Sequence, residues 1–338
     1  NMHSLWADPL KHGEEKLYGP GTPFEKYCWL KEHSAGYLVP LKLYFEEHPE
    51  YYAKDRRGKP IVFPNNSDYR TVLCLSNPDV RRISIERALE WVERQKDYKR
   101  YFSITMGDAG EWCQCPECRK HDPEPGQCAD RLYKLWVNPV ARAIGRKYPD
   151  KIILSHSYSS ARRPPRNVRP GKNVRIICCN GLGAVRFWEP AVKQDYPRLR
   201  EETERIKDLL AVAPGGVVVQ EYSSGSYQPA FVDQLPARLR WYAEQGVKGI
   251  YMTTGRPRNF RDLWWYLLSR LHWDPHQDAM GLTRDFVNFY YRDAAEPINR
   301  YFELVHRRYH DTLKSGAALR RGYPADFYES AFAKAALG

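Results

Sequence analysis

Carboxylates, an indole and thiols crowd one short stretch of the chain. Asp108, Glu111 and Trp112 stand directly before Cys113, Cys115 and Cys118, with Cys128 ten residues further on. A second acid, Glu221, closes the apolar run of residues 216–220 and is followed by Tyr222. Acids at two strand ends, interleaved with aromatic and amide side chains, are what glycoside cleavage requires: a protonated carboxyl for the leaving oxygen, and a carboxylate across the sugar to attack or to activate water. Aromatic faces then stack on the C–H surfaces of the sugar. The candidate catalytic residues are Asp108, Glu221 and Glu111, and the candidate sugar-binding residues are Trp112, His156, Tyr158, Asn180, Tyr222 and Arg256. For any single acid the alternative is a helix cap or an ion pair. Glu221, ending an apolar strand, needs either a partner or a purpose.

Cys113, Cys115 and Cys118 can converge on one tetrahedral Zn²⁺ of structural type, with Cys128 or His121 closing the shell. The alternatives are a disulfide such as Cys115 to Cys128, or free thiols. An all-thiol shell leaves no open coordination position, so no cofactor is expected to take part in catalysis. Cys74, Cys178 and Cys179 lie in strand-like runs and read as buried apolar residues.

These groups need a scaffold, and the hydrophobic pattern describes one. Short β-branched runs at residues 71–75, 101–106, 151–158, 174–178, 216–222 and 248–253 read as buried parallel strands. Helical patterns lie between most of them. Asn77-Pro78 is an N-cap followed by Pro at the first helical position, ahead of Val80, Ile83, Ala88 and Trp91 at helical spacing. Further helices are predicted over residues 130–148, kinked at Pro139, and over 196–210, 232–245 and 260–272. Beyond residue 281 the pattern is helical only.

Strands alternating with helices imply a parallel sheet with right-handed crossovers. No Gly-rich dinucleotide fingerprint follows any strand, so the expected fold is α/β, a (β/α)8 TIM-like barrel, over an open doubly wound sheet. The barrel is expected to be somewhat degenerate. The link from residue 158 to 174 contains Arg162-Arg163-Pro164-Pro165 and cannot hold a full helix, and residues 1–70 offer only weak strand patterns, so the first strands are irregular or upstream. A catalytic barrel over residues 1–275 and a C-terminal helical extension over 276–338 follow. In such barrels the groups that act project from the C-terminal strand ends, which is where the acids, Trp112, His156, Tyr158, Asn180, Tyr222 and Arg256 fall.

A chain of 338 residues with 14% aromatic content can bury a sizeable core, and no apolar stretch approaches the ~20 residues of a bilayer helix. The opening Asn1-Met2-His3-Ser4 is not a basic stretch leading to an apolar core, so a signal peptide is expected to be removed or never present. The formal net charge of +12 favours acidic partners, yet no Lys/Arg run exceeds two residues. That scatter is not the contiguous stripe nucleic acid demands. The expected partner is an oligosaccharide or polysaccharide, and the charge extends this to uronic-acid or sulfated glycans; a generic solvated basic surface is the alternative.

Several motifs in order resemble a known family: His48-Pro49-Glu50-Tyr51, Leu73-Cys74-Leu75-Ser76-Asn77-Pro78, Gly107-Asp108 with Trp112-Cys113, Cys115 and Cys118, Glu221-Tyr222, and Leu271-His272-Trp273-Asp274-Pro275 before Phe286 and Tyr290-Tyr291. They are similar to bacterial glycoside-hydrolase-like barrels catalogued as a domain of unknown function, distant kin of α-glucuronidases and β-hexosaminidases. The resemblance implies a TIM-like barrel, export to the periplasm or the cell exterior, and action on complex glycans, with Asp108 matching the acid after the strand. Gly107 departs from the pattern, since Asn is frequent there and an amide can bind a substrate hydroxyl or acetamido group. The rival to a glycoside hydrolase is a non-catalytic carbohydrate-binding barrel.

Overall fold

The computed structural model describes residues 33–63, 67–97, 99–179, 197–223, 229–254 and 260–314. Its frame is a parallel sheet of β1 (Tyr101–Ser103), β2 (Ile152–Ser157), β3 (Val174–Cys178), β4 (Val217–Ser223) and β5 (Gly249–Thr254). The spatial order of the strands is their order in the chain. Each new strand therefore joins the same growing edge, and right-handed crossovers put the connecting helices on one face; a doubly wound sheet requires a reversal of that order. The outcome is a curled half-barrel. Five strands stand among the described residues, so the expected parallel α/β architecture is present and a closed eight-stranded barrel is not seen there.

Side-chain alternation separates the two faces of the sheet. Phe102, Ile153, Val174, Ile176, Cys178, Val217 and Val219 are buried in the main core with residues of α1 (Pro78–Gln95), α2 (Asn138–Lys147), α3 (Pro197–Val212) and α4 (Pro229–Glu244), including Trp91, Ile144, Ile206 and Tyr242. Leu154, Ile177 and Cys179 occupy the opposite, inner face, against Tyr101, Ile152, Tyr158 and Val218.

Local chemistry explains the elements. The Asn77 side chain accepts a hydrogen bond from the Asp79 N–H (2.9 Å), and Pro78 opens α1. The predicted helix over 130–148 is split: Ala129–Leu132 is α-helical, Tyr133–Val137 is a π-turn, and α2 resumes at Asn138. Pro139 has no N–H to give the preceding turn, and the widened turn sits just before it. Between β2 and β3 only one 3-10 turn, Ser159–Ala161, replaces a crossover helix. Its absence from the outer layer leaves a groove of about 710 Å³ between α3 and the 162–166 segment, lined by Arg162, Arg163, Pro165, Glu201 and Arg205.

Residues 71–75, expected as a strand, belong to no ladder. Leu73 forms an isolated antiparallel bridge with Tyr52, and Ala53 N–H and Cys74 N–H pair with Val72 O and Tyr51 O. On the other edge Leu73 N–H meets the Met106 sulfur (3.4 Å) in place of a carbonyl, which stops a ladder to the β1 side. At the C-terminal end, α5 (Arg261–Trp273), α6 (Ala279–Tyr291) and α7 (Ala295–Lys314) form a second core with α4 through Leu235, Leu263, Leu267, Leu271, Val287 and Phe302.

Candidate functional site

A small void of about 10 Å³, room for one water, lies at the C-terminal ends of β1 and β2. It is lined by Met106, Gly107, Trp112, Leu132, His156, Tyr158 and Ser159. His156 and Tyr158 reach it because they share the inner-face parity of Ile152 and Leu154. Asp108 is half-buried at the start of the loop after β1; its N–H donates to Tyr69 O (3.0 Å) and its carbonyl accepts from Arg70 Nε (3.3 Å). The Asp108 carboxylate and the Tyr158 hydroxyl are hydrogen-bonded, and burial, reinforced by that carboxylate, pushes the Tyr158 phenol above its ordinary range. Tyr158 is thus held as a neutral donor to Asp108.

Trp112 is buried, with the Arg131 guanidinium 5.8 Å from its ring, and its indole N–H has no hydrogen-bond partner among the described residues. A buried orphan donor costs about 1–3 kcal/mol, which a water or a ligand oxygen would recover. Glu111 lies exposed on the same loop. Ser159 in the lining and His33 beside it are two of the non-glycine residues with left-handed backbone, at φ 51 and 54. Such conformations cost about 1–3 kcal/mol each and collect at functional sites.

Two neighbours had no sequence signal. The His33 ring stands edge-on to His156 (5.5 Å) and to Tyr69 (4.4 Å), with Nδ1 2.8 Å from Met106 O. Both come from the N-terminal segment whose pattern was weakest, and long-range hydrogen bonds such as Gly107 N–H to Thr71 O and Ala35 N–H to Thr105 O bring that segment to the strand end.

Glu221 takes a different place. It shares the parity of Val217 and Val219, so it enters the helix layer and is fully buried. One carboxylate oxygen accepts from Arg238 Nη2 (3.1 Å) and the other from the Tyr242 hydroxyl (2.6 Å), both on α4. The partner that its burial demands is therefore supplied by the helix layer, away from the void at the ends of β1 and β2. Tyr222 follows on β4 with the opposite backbone parity, paired in register with Thr253. Asn180 and Arg256 lie outside the described residues.

The thiol cluster also differs in membership. Cys74, Cys113, Cys115 and Cys118 bring their sulfurs within 4.8 Å of one another. Cys128, expected as the fourth ligand, instead accepts from Arg131 Nη2 (2.7 Å) and stands 3.9 Å from Asp122. Cys74 replaces it because the 71–75 segment, packed beside the β1 end, carries its sulfur to the loop. His121 is no member of this group, and all seven described cysteines are free, Cys115 and Cys128 included.

The one-way parallel sheet defines an α/β half-barrel protein. The chain belongs to the family described as a domain of unknown function, DUF4838, whose model matches residues 12–303, and the family read from the sequence motifs is thereby the right one. No curated protein matches it. Solved structures that resemble it include ZgEngAGH5_4 in complex with a cellotriose, at 17% identity and TM-score 0.35 over 53% of this chain and 58% of that one. PbGH5A, a glycoside hydrolase family 5 enzyme from Prevotella bryantii, resembles it at 11% identity and TM-score 0.34, over 52% and 58%. The chain thus spans about three fifths of the length of either.

Proposed function

We propose that this chain binds and cleaves glycosidic bonds at the strand ends beside Asp108. The observation that carries the reading is the convergence of Asp108, His156, Tyr158 and Trp112 on the C-terminal ends of β1 and β2, where one-way parallel sheets place their chemistry. Asp108, fixed by the neutral Tyr158 hydroxyl, is the carboxylate that attacks the anomeric carbon or takes a proton from water. Glu111, exposed on the same loop, is the acid that protonates the leaving oxygen. The orphan indole N–H of Trp112 and the buried His156 supply hydrogen bonds to sugar hydroxyls. Arg70, exposed at the rim, and the net charge of +12 favour an anionic glycan. Glu221 in this account is a structural ion pair.

A second reading, a carbohydrate-binding half-barrel without turnover, is favoured by one observation: the withdrawal of Glu221 into the helix layer removes one of the expected acids. Product release from neutral, uronic-acid and sulfated glycans, with wild type beside Asp108→Asn and Glu111→Gln, separates the two. Release by wild type that both variants lose supports cleavage; glycan binding without product from any substrate supports the binder.

A further inference from the structure

We propose that Cys74, Cys113, Cys115 and Cys118 form a structural, tetrahedral zinc site that ties the loop bearing Asp108 and Trp112 to the turn before α1. The inference is independent of the glycan reading. A Zn–S bond of about 2.3 Å places the sulfurs of a regular tetrahedron about 3.8 Å apart. Cys74 Sγ lies 3.8 Å from Cys115 Sγ and 3.9 Å from Cys118 Sγ, and all four sulfurs lie within 4.8 Å of one another. Those separations are far beyond the roughly 2.05 Å of a disulfide and match ligands sharing one ion.

The surroundings are built for thiolates. Lys54 N–H donates to Cys113 Sγ (3.3 Å), Cys118 N–H donates to Cys115 Sγ (3.4 Å), and the Ser76 hydroxyl lies 3.3 Å from both the Cys74 and the Cys118 sulfurs. Cys118 and Cys113 are buried, and Cys115 caps the short turn Pro116–Arg119 that carries Cys118. Arg131 adds a second brace by donating to Cys113 O (2.7 Å). Four protein sulfurs leave no open position, so the ion holds structure and does no chemistry on substrate. Binding replaces S–H bonds with Zn–S bonds and releases the thiol protons, with no oxidant or reductant required. The sequence pattern alone closed this shell with Cys128 or His121; the fold closes it with a residue some forty positions upstream.

The test uses the full chain, produced with zinc supplied and purified under reductant, with metal content read by plasma emission spectrometry and the metal shell by X-ray absorption. One zinc per chain with four sulfurs at about 2.3 Å is expected. Cys128→Ser should keep that stoichiometry, and Cys74→Ser should lower zinc content at least tenfold after dialysis against a weak chelator. If Cys74→Ser does not fold, the wild-type shell decides, since three sulfurs and one lighter donor would overturn the quartet. A metal-free wild type, iron in place of zinc, paired disulfides in non-reducing alkylation mass spectrometry, or zinc lost from Cys128→Ser and kept in Cys74→Ser would each overturn it as well.

Discussion

Glu221→Gln is the substitution that most sharply divides a structural from a catalytic carboxylate. The side chains of Glu221 and Arg238 are 1% and 6% exposed and joined at 3.1 Å, while Tyr242 donates to the other oxygen at 2.6 Å. Neutralising Glu221 leaves the Arg238 charge buried with no counter-charge, and breaking such a pair costs about 3–5 kcal/mol. That is a large share of the roughly 5–15 kcal/mol that holds a domain folded. With a urea slope near 3 kcal/mol per molar, the unfolding midpoint should fall by about 1–1.7 M. Replacing both partners, as Glu221→Leu with Arg238→Leu, should cost far less than the sum of the single changes, because no lone charge remains. Urea titrations followed by tryptophan fluorescence and circular dichroism measure all the midpoints. An unchanged midpoint in Glu221→Gln, together with loss of turnover at low urea, would refute the structural assignment.

Other consequences follow from the same contacts. A Cβ on Gly107 would lie 2.2 Å from Thr71 O and 2.6 Å from the Arg70 carbonyl carbon, both backbone atoms. Gly107→Ala should therefore destabilise by at least about 1–3 kcal/mol and speed amide exchange at residues 107 and 108, seen by hydrogen exchange; a wild-type melting point would contradict this. Burial pushes the Cys128 and Cys178 thiols from 9.0 up to about 11. A raised folded value means stability that is complete below pH 9 and is lost as pH rises towards 11, by at most about 2–3 kcal/mol per thiol. Urea midpoints under reductant should fall across that window, and Cys128→Ser should flatten the fall; equal slopes in both proteins would count against it.

Much of the frame was legible in the sequence because buried parallel strands are continuous apolar runs. The 174–178 run is β3 to the residue, and four of the others lie within a few residues of β1, β2, β4 and β5. Residues 71–75 have the same composition and fail as a strand because their hydrogen bonds are divided between residues 51–53 and the 106–107 turn, partners no periodicity announces. The missing helix between β2 and β3 was readable from Pro164-Pro165, whereas the π-turn at Tyr133–Val137 left only Pro139 as a trace. That Asp108, Trp112, His156 and Tyr158 lie near one another is legible from their positions after strands, while strand parity, which sends Glu221 into the helix layer, depends on register and leaves no mark in spacing. His33, Tyr69 and the fourth thiol, Cys74, arrive from distant sequence, and spacing cannot reveal such partners.

The measurement closest to the central claim pairs turnover with calorimetric binding for Asp108→Asn on a glycan that wild type cleaves. Loss of a positioned carboxylate should lower kcat by at least about 10²–10⁴-fold while Kd and the unfolding midpoint stay near wild type. Asp108→Asn that turns over at the wild-type rate would place the chemistry elsewhere.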